Sequence, residues 1–362
     1  MQRSSEPLRN CLRAAFRATH PSSRCFSQTR SAAAIQQPGA PTINVFSPQT
    51  KYIQKQRASK DKEHSRRVDY VRDEVAHRLS TRLLDINRKF DKALDYGANA
   101  CNIARILTLP DPDPDSSKPV SEPLASKIGH LTCADTSEGL LHRDADLPFN
   151  KEINLTREVL TQWEYLPYEE NTFDLVLSSL NLHWINDLPS VLTQINHCLK
   201  PDAPFIGAMA GGDSLYELRG SLQLAESERL GGLKTHVSPL ADVRDVGNLL
   251  GRAGFKLLTV DVDDIIVGYP SVFELMDDLR AMGESNAALR REPGLGGMSR
   301  DVLLATDAIY RELYGDEDGT IPATFRTIYM IGWKEGEGQA KPLPRGSGEI
   351  NIKDLLEGGG KE

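Results

Sequence analysis

The sequence predicts an α/β fold: a mostly parallel central sheet with helices on both faces, extended by helical additions toward the C-terminus. Three observations predict it. Strand-like and helix-like segments alternate between residues 90 and 210, the pattern of a parallel sheet joined by helical crossovers. The clearest strand, "NTFDLVLSSL" at 171–180, is apolar on both faces, as a strand in the middle of such a sheet must be. Finally, Asp95, Gly97, Asp135, Gln162 and His183 all fall at or just past predicted strand ends, where ligands of wound sheets bind.

Taken in order, the elements begin with a segment unlike the rest. Residues 1–30 carry Arg3, Arg9, Arg13, Arg17, Arg24 and Arg30 with Glu6 as the lone acid, and Leu8, Leu12, Ala15 and Phe16 can share one helical face. This is the composition of a mitochondrial transit peptide, with Arg24-Cys25-Phe26-Ser27 placed like a matrix-processing site; the plainer alternative is a disordered basic terminus. Residues 31–60, Ala-, Gln-, Pro- and Ser-rich at first, read as a linker into a domain at 61–334. A helix follows, with Val68, Val71, Val75, Leu79, Leu83 and Ile86 at intervals of three or four. Within the core at 90–210 come a strand in "FDKALDYG", a helical "NIARIL", and a surface loop at 111–123 too rich in proline and charge to pack. A second strand, "KIGHLTCAD", ends at Asp135. After the central strand, "LPSVLTQINHCLKP" is a helix stopped by Pro201, and "APFIGAMAGG" another buried strand.

The substrate or helical part at 211–334 opens with Ser214 to Glu217 as a capping box, leading into a helix with Leu215, Leu218 and Leu222 inside. "FKLLTVDVDDIIVGY" is a long strand or a strand pair. Two amphipathic helices carry Val272, Phe273, Met276, Leu279 and Val302, Leu303, Ile309, Leu313, and "TFRTIYMIGWK" is the last strand. Residues 335–362 read as a disordered tail.

Composition limits the functions. The chain has 362 residues, 39% of them hydrophobic, enough for one large core or two modest ones. A formal net charge of -8 argues against nucleic acid as a partner, and no apolar run reaches the roughly 20 residues that span a bilayer. Five cysteines occur without CxxC spacing, so neither a disulfide framework nor a zinc site is expected, and no metal ligands are assigned.

The stretch "LDYGANAC" at 94–101 carries the chemistry. Class I methyltransferases, which use S-adenosylmethionine, place D-x-G-x-G-x-G there, the glycines giving a tight turn and close backbone approach to the cofactor. This chain has Asp95 and Gly97, then Asn99 and Cys101 at the glycine positions. Asn tolerates a positive φ, so the turn can persist; a purely structural βα turn reads equally well. Asp135 offers two acceptor oxygens to two ribose hydroxyls, or else caps the following helix. In "LTQWEYLPY", Gln162 stands where an acid accepts from the adenine amine, and Trp163 is a stacking face or core. His183 in "NLHWIND" is either a base near neutral pH or a satisfied histidine capping the sheet. "HRD" at 142–144 lacks the other kinase elements and a distal histidine for an iron triad, and "DEDG" at 316–319 lacks the downstream Glu of a calcium loop.

Longer strings carry a resemblance. "FDLVLSSLNLHWINDLP", "LKPDAPFIGAMAGGDSLYELRGSLQLAESER", "LLGRAGFKLLTVDVDDI", "FELMDDLRAMGESNA" and "DGTIPATFRTIYMIGWK" are similar to the family of mitochondrial complex I assembly factor 5 from about residue 44 to 334. That family is related to the malonyl-carrier-protein methyltransferase of biotin synthesis. The resemblance implies a Rossmann-like class I methyltransferase fold. It further implies a matrix location peripheral to the inner membrane without a transmembrane segment, a complex I iron–sulfur subunit or assembly intermediate as partner, and arginine hydroxylation as the activity. Asp95, Gly97 and Asp135 match its S-adenosylmethionine site, whereas Asn99, Cys101 and Gln162 depart from Gly, Gly and Asp. The sequence names no oxygen-activating cofactor. With substrate entering over 211–219, the candidate catalytic residues are His183, Tyr216 and Arg219, with Glu217 as a further contact; surface and helix-cap chemistry is the plainer reading of the latter three. Two other functions stay open: methylation of an acyl carrier or small molecule, and a non-catalytic assembly chaperone.

Overall fold

A computed structural model describes residues 44–110, 123–289 and 298–339. The expected transit peptide, nearly all of the loop at 111–123, and the tail past residue 339 lie outside the described residues.

Alternating apolar segments assemble into one seven-stranded sheet: β1 (Phe90–Tyr96), β2 (Ile128–Asp135), β3 (Leu155–Val159), β4 (Leu175–Ser179), β5 (Pro204–Ala210), β6 (Lys256–Tyr269) and β7 (Ile321–Trp333), in the order β3-β2-β1-β4-β5-β7-β6. The first five are parallel; β7 lies antiparallel between β5 and β6. β4 is buried along its whole length, as a strand covered on both faces requires. The 14-residue β6 is a single strand with an irregularity between Lys256 and Thr259, which resolves the choice between strand and strand pair. Strand order reverses between β1 and β4, and Asp95 is in register with Cys133 of β2 and Leu177 of β4. The carboxyl ends of the three strands therefore open onto one crevice.

The helices are α1 (Pro48–Ala58), α2 (Lys62–Arg67), α3 (Tyr70–Leu84), α4 (Asn102–Leu107), α5 (Glu138–Leu141), α6 (Leu188–Cys198), α7 (Tyr216–Leu230), α8 (Val243–Arg252), α9 (Val272–Met282) and α10 (Arg300–Tyr314). One core cluster joins Val75, Leu79 and Ile103 of α3 and α4 to one face of the sheet, and a second joins Val191, Ile195 and Leu250 of α6 and α8 to the other.

Three expectations change. Inside the expected linker, Ser47 caps α1 by accepting from the Thr50 N–H, Pro48 opens it, and Lys51, Lys55 and Ala58 are buried. Hydropathy misses this helix because its inner face is lysine, made tolerable by acceptors on other elements. The capping box does not form. α7 starts from Leu215 at φ 54°, the Ser214 hydroxyl donates to the Arg326 carbonyl, and Glu217 turns inward to Thr324. In α9 and α10 the inner faces are Val272, Leu275, Met282 and Val302, Ala305, Tyr310, leaving Phe273 and Leu313 exposed. Among the described residues, no helix is long and apolar enough to cross a membrane.

Candidate functional site

The turn after β1 is built by three successive departures from ordinary backbone. Gly97 has φ +76°, and Asn99 and Cys101 follow at φ 51° and 60°. Gly97 is required: a Cβ there would stand 2.4 Å from the Asn181 side chain. Asn99 holds its left-handed position by donating its side-chain amide to the Gly97 carbonyl at 3.1 Å and to the Ser179 carbonyl at 3.2 Å. Cys101 faces the packed side. Its thiol donates to the Leu141 carbonyl at 3.8 Å, on the side of the turn packed against α5, and the residue is fully buried. The turn thus survives the loss of two glycines because Asn99 compensates with its own amide.

Around this turn lie buried polar atoms without hydrogen-bond partners among the described residues: both carboxylate oxygens of Asp95, Oδ1 of Asn99, Oγ of Ser179 and Nδ2 of Asn181. Burial, with Cys101 and Asp135 close by, raises the Asp95 pKa well above the ordinary carboxylate value. Buried groups left unmet cost free energy, which makes this cluster a candidate place for a polar ligand. The set of a carboxylate, a carbonyl oxygen, a hydroxyl and an amide suits the amino-acid end of S-adenosylmethionine.

Asp135 is not an open receptor. Its Oδ1 accepts from the Ser137 N–H at 2.9 Å, and its Oδ2 accepts from the Asn99 N–H at 3.1 Å and the Lys55 ammonium at 3.0 Å. Lys55 also donates to Asn181 Oδ1 at 3.1 Å and lies 4.9 Å from the Trp163 ring centroid; both charged side chains are fully buried. An internal cation therefore occupies the acceptor expected to take the ribose diol. The helix cap falls to Ser137, which accepts from the Leu140 N–H. Gln162 is exposed and makes no side-chain hydrogen bond among the described residues; its neighbour Trp163 is the buried one. The structure brings Asp95, Gly97, Asn99 and Asp135 together, with Gln162 exposed beside the buried Trp163.

His183 sits on the single 3-10 turn Leu182–Trp184 that follows β4. Its Nδ1 accepts from the Ala210 N–H at 3.5 Å, and its Nε2 lies 3.8 Å from Glu284. Burial lowers its pKa against the pull of Glu284, so the imidazole is neutral near pH 7. Glu284 escaped the sequence reading. Although burial opposes it, Lys51, His183 and Arg72 hold its pKa well below the ordinary value. Trp184 donates its indole N–H to Glu284 at 2.7 Å, and Lys51, 3.2 Å above the Trp184 ring centroid, donates to the Gly283 carbonyl at 2.9 Å. The missed signals are Lys51 and Lys55 four residues apart, and an acid just past a helix-ending glycine.

A cavity of about 1220 Å³ opens beside His183, walled by Trp184, Leu218, Leu222, Met276 and Glu284. Tyr216 and Arg219 do not line it. Tyr216 is exposed against Tyr314, and Arg219 donates to the Gly212 carbonyl at 3.2 Å and borders a smaller groove. On α7 the stripe 218, 222, 226 faces the cavity, and positions 216 and 219 flank it, which separates them from His183. The "HRD" residues are structural: Arg143 is buried with Asp144, Asp69 and Ser65.

Comparison with known proteins agrees with this architecture. A methyltransferase domain model matches residues 117–207. Arginine-hydroxylase NDUFAF5, mitochondrial, of Homo sapiens is 48% identical over 314 residues, covering 87% of this chain and 84% of that protein. Malonyl-[acyl-carrier protein] O-methyltransferase of Laribacter hongkongensis is 30% identical, covering 80% of this chain and 90% of that protein. Among solved structures, the YcgJ protein of Bacillus subtilis superimposes with a TM-score of 0.46 at 13% identity, over 72% of this chain and 98% of that one. The parallel sheet, the glycine turn beyond β1 and this extended identity converge: the chain belongs to the mitochondrial arginine-hydroxylase NDUFAF5 family, built on a class I Rossmann-like methyltransferase fold.

Proposed function

We propose that the chain hydroxylates an arginine of a complex I iron–sulfur subunit during assembly, in the mitochondrial matrix and peripheral to the inner membrane. The observation that supports this reading best is the cavity beside His183, whose volume of about 1220 Å³ accommodates an arginine with its flanking peptide. Family membership supplies the reaction class.

S-adenosylmethionine fits the residues at the carboxyl edge. Asp95, Ser179 and Asn181 would hold its amino-acid end, and Asp135 its ribose after Lys55 has withdrawn; when bound, it supplies a sulfonium-activated carbon. The chain's own residues orient and exclude. The neutral imidazole of His183, fixed through Nδ1, directs its Nε2–H toward Glu284 at the cavity wall, and Leu218, Leu222 and Met276 keep that wall dry.

Intact-mass measurement of the iron–sulfur subunits from cells with and without this protein tests the proposal. The expected result is an arginine lighter by one oxygen atom when the protein is missing; an unchanged mass refutes it. The Lys55–Asp135 pair favours one other reading, an assembly scaffold with a sealed cofactor site. Rescue of assembly by Asp95→Ala, with normal folding, would support the scaffold; failure of rescue supports catalysis. Methyl transfer to an acyl carrier, accompanied by tight calorimetric binding of S-adenosylmethionine, would instead place the chain's activity with its methyltransferase relatives.

A further inference from the structure

The inner stripe of α7 holds one residue that an apolar wall should reject. Leu218, Leu222, Glu226 and Leu230 follow one another at intervals of four on the face lining the large cavity. Glu226 is 1% exposed. Its Oε1 meets His236 Nε2 at 2.6 Å and its Oε2 accepts from the Lys234 N–H at 2.8 Å. No lysine or arginine side chain pairs with it among the described residues. A buried carboxylate needs a compensating cation, and among the described residues the imidazole of His236 is the one basic side chain that meets Glu226.

The other carboxylate in the cavity wall is already committed. Glu284 is met by Lys51, Arg72, the Trp184 indole N–H and His183. Glu226 alone keeps acceptor capacity, with two donors on oxygens that can receive about four. The approach to it runs along Leu218 and Leu222, about 12 Å of helix from Leu218 to Glu226, a distance suited to the methylene stem of a long cationic side chain together with part of its backbone.

We infer that Glu226 is the specificity-determining residue for the substrate arginine: its carboxylate receives the guanidinium through paired N–H···O bonds, and His236 is the internal partner that the guanidinium displaces. A planar donor fork facing a carboxylate favours arginine over lysine and rejects citrulline, which has the same shape without the charge. The inference rests on the arginine-hydroxylase reading and adds to it the group that selects the side chain.

The test is calorimetric titration of the full chain with acetyl-Gly-Arg-Gly-amide and its citrulline and lysine counterparts. The arginine peptide should bind the unmodified protein at least about tenfold more tightly than the other two. Glu226→Gln should remove that preference with the thermal midpoint preserved. His236→Gln, which frees Glu226, should keep or strengthen arginine binding. If Glu226 merely pins the 231–238 loop, both variants lose binding equally, and that parallel loss overturns the inference, as does lysine binding as tightly as arginine. Should Glu226→Gln fail to fold, the sign of the His236→Gln effect decides alone. Failure of the unmodified protein to bind any of the peptides counts against the hydroxylase reading itself, whereas unchanged arginine preference in Glu226→Gln counts against Glu226 only.

Discussion

Lys55→Met keeps an unbranched apolar side chain of similar length and deletes the ammonium that meets Asp135 and lies over the Trp163 ring. The structure sets the size of the effect. Both charges are fully buried at 3.0 Å, and loss of one partner leaves a buried carboxylate with two backbone donors, from Asn99 and Ser137. Breaking such a pair costs roughly 3–5 kcal/mol, and the two remaining donors place this case near the lower end. For a domain of this size that corresponds to a fall of roughly 6–12 °C in thermal midpoint, measured by circular dichroism on the ligand-free protein. The same change should act in the opposite sense on ligand. In the unmodified protein a ribose diol has to displace the ammonium, whereas in the variant Asp135 is free to accept. S-adenosylhomocysteine should therefore raise the midpoint of Lys55→Met by more than it raises that of the parent at equal concentration. A variant as stable as the parent, or one that binds the nucleoside more weakly, refutes the view that Lys55 competes for the ribose acceptor.

The empty valences of Asp95 give a prediction with a pH signature. Its folded-state pKa lies above its unfolded value, so its contribution to stability is greatest below about pH 4 and is lost as pH rises through the folded pKa. Asp95→Asn should therefore raise the thermal midpoint at pH 7, the gain should shrink toward pH 4, and cofactor affinity should fall; equal gains at both pH values contradict it. Gly97→Ala meets both a positive φ and a contact of 2.4 Å with Asn181, so it should lose at least about 1–2 kcal/mol in chemical denaturation together with ligand binding.

Much of this architecture is legible from residues alone. β4 and β5 are short and mostly apolar, and β1 and β2 end in apolar residues before an acid, while the tight turn at Gly97 is signalled by an acid and a glycine after a strand. β3, with intermediate or exposed side chains, has no such signal, and α8 presents only Val246 and Leu250 as buried residues. Chain proximity to Gly211 points to Tyr216 and Arg219, yet a left-handed residue at Leu215 sets α7 so that Leu218 and Glu226 look inward. The leucine spacing of 218 and 222 reports the inner face of α7, and chain proximity to Gly211 does not.

By itself the sequence determined the periodicities and the register of polar groups at strand ends: where Asp95, Gly97, Asp135 and His183 sit along the chain, and hence that they reach one edge of the sheet. Tertiary structure alone decided what meets them. That Lys55, 80 residues before Asp135, ends on its carboxylate, and that Glu284 gathers Lys51, Arg72 and Trp184, depends on long-range packing of charged side chains. Hydrophobic periodicity carries no information about such pairs, because a buried charge is tolerated only where distant elements supply its partner.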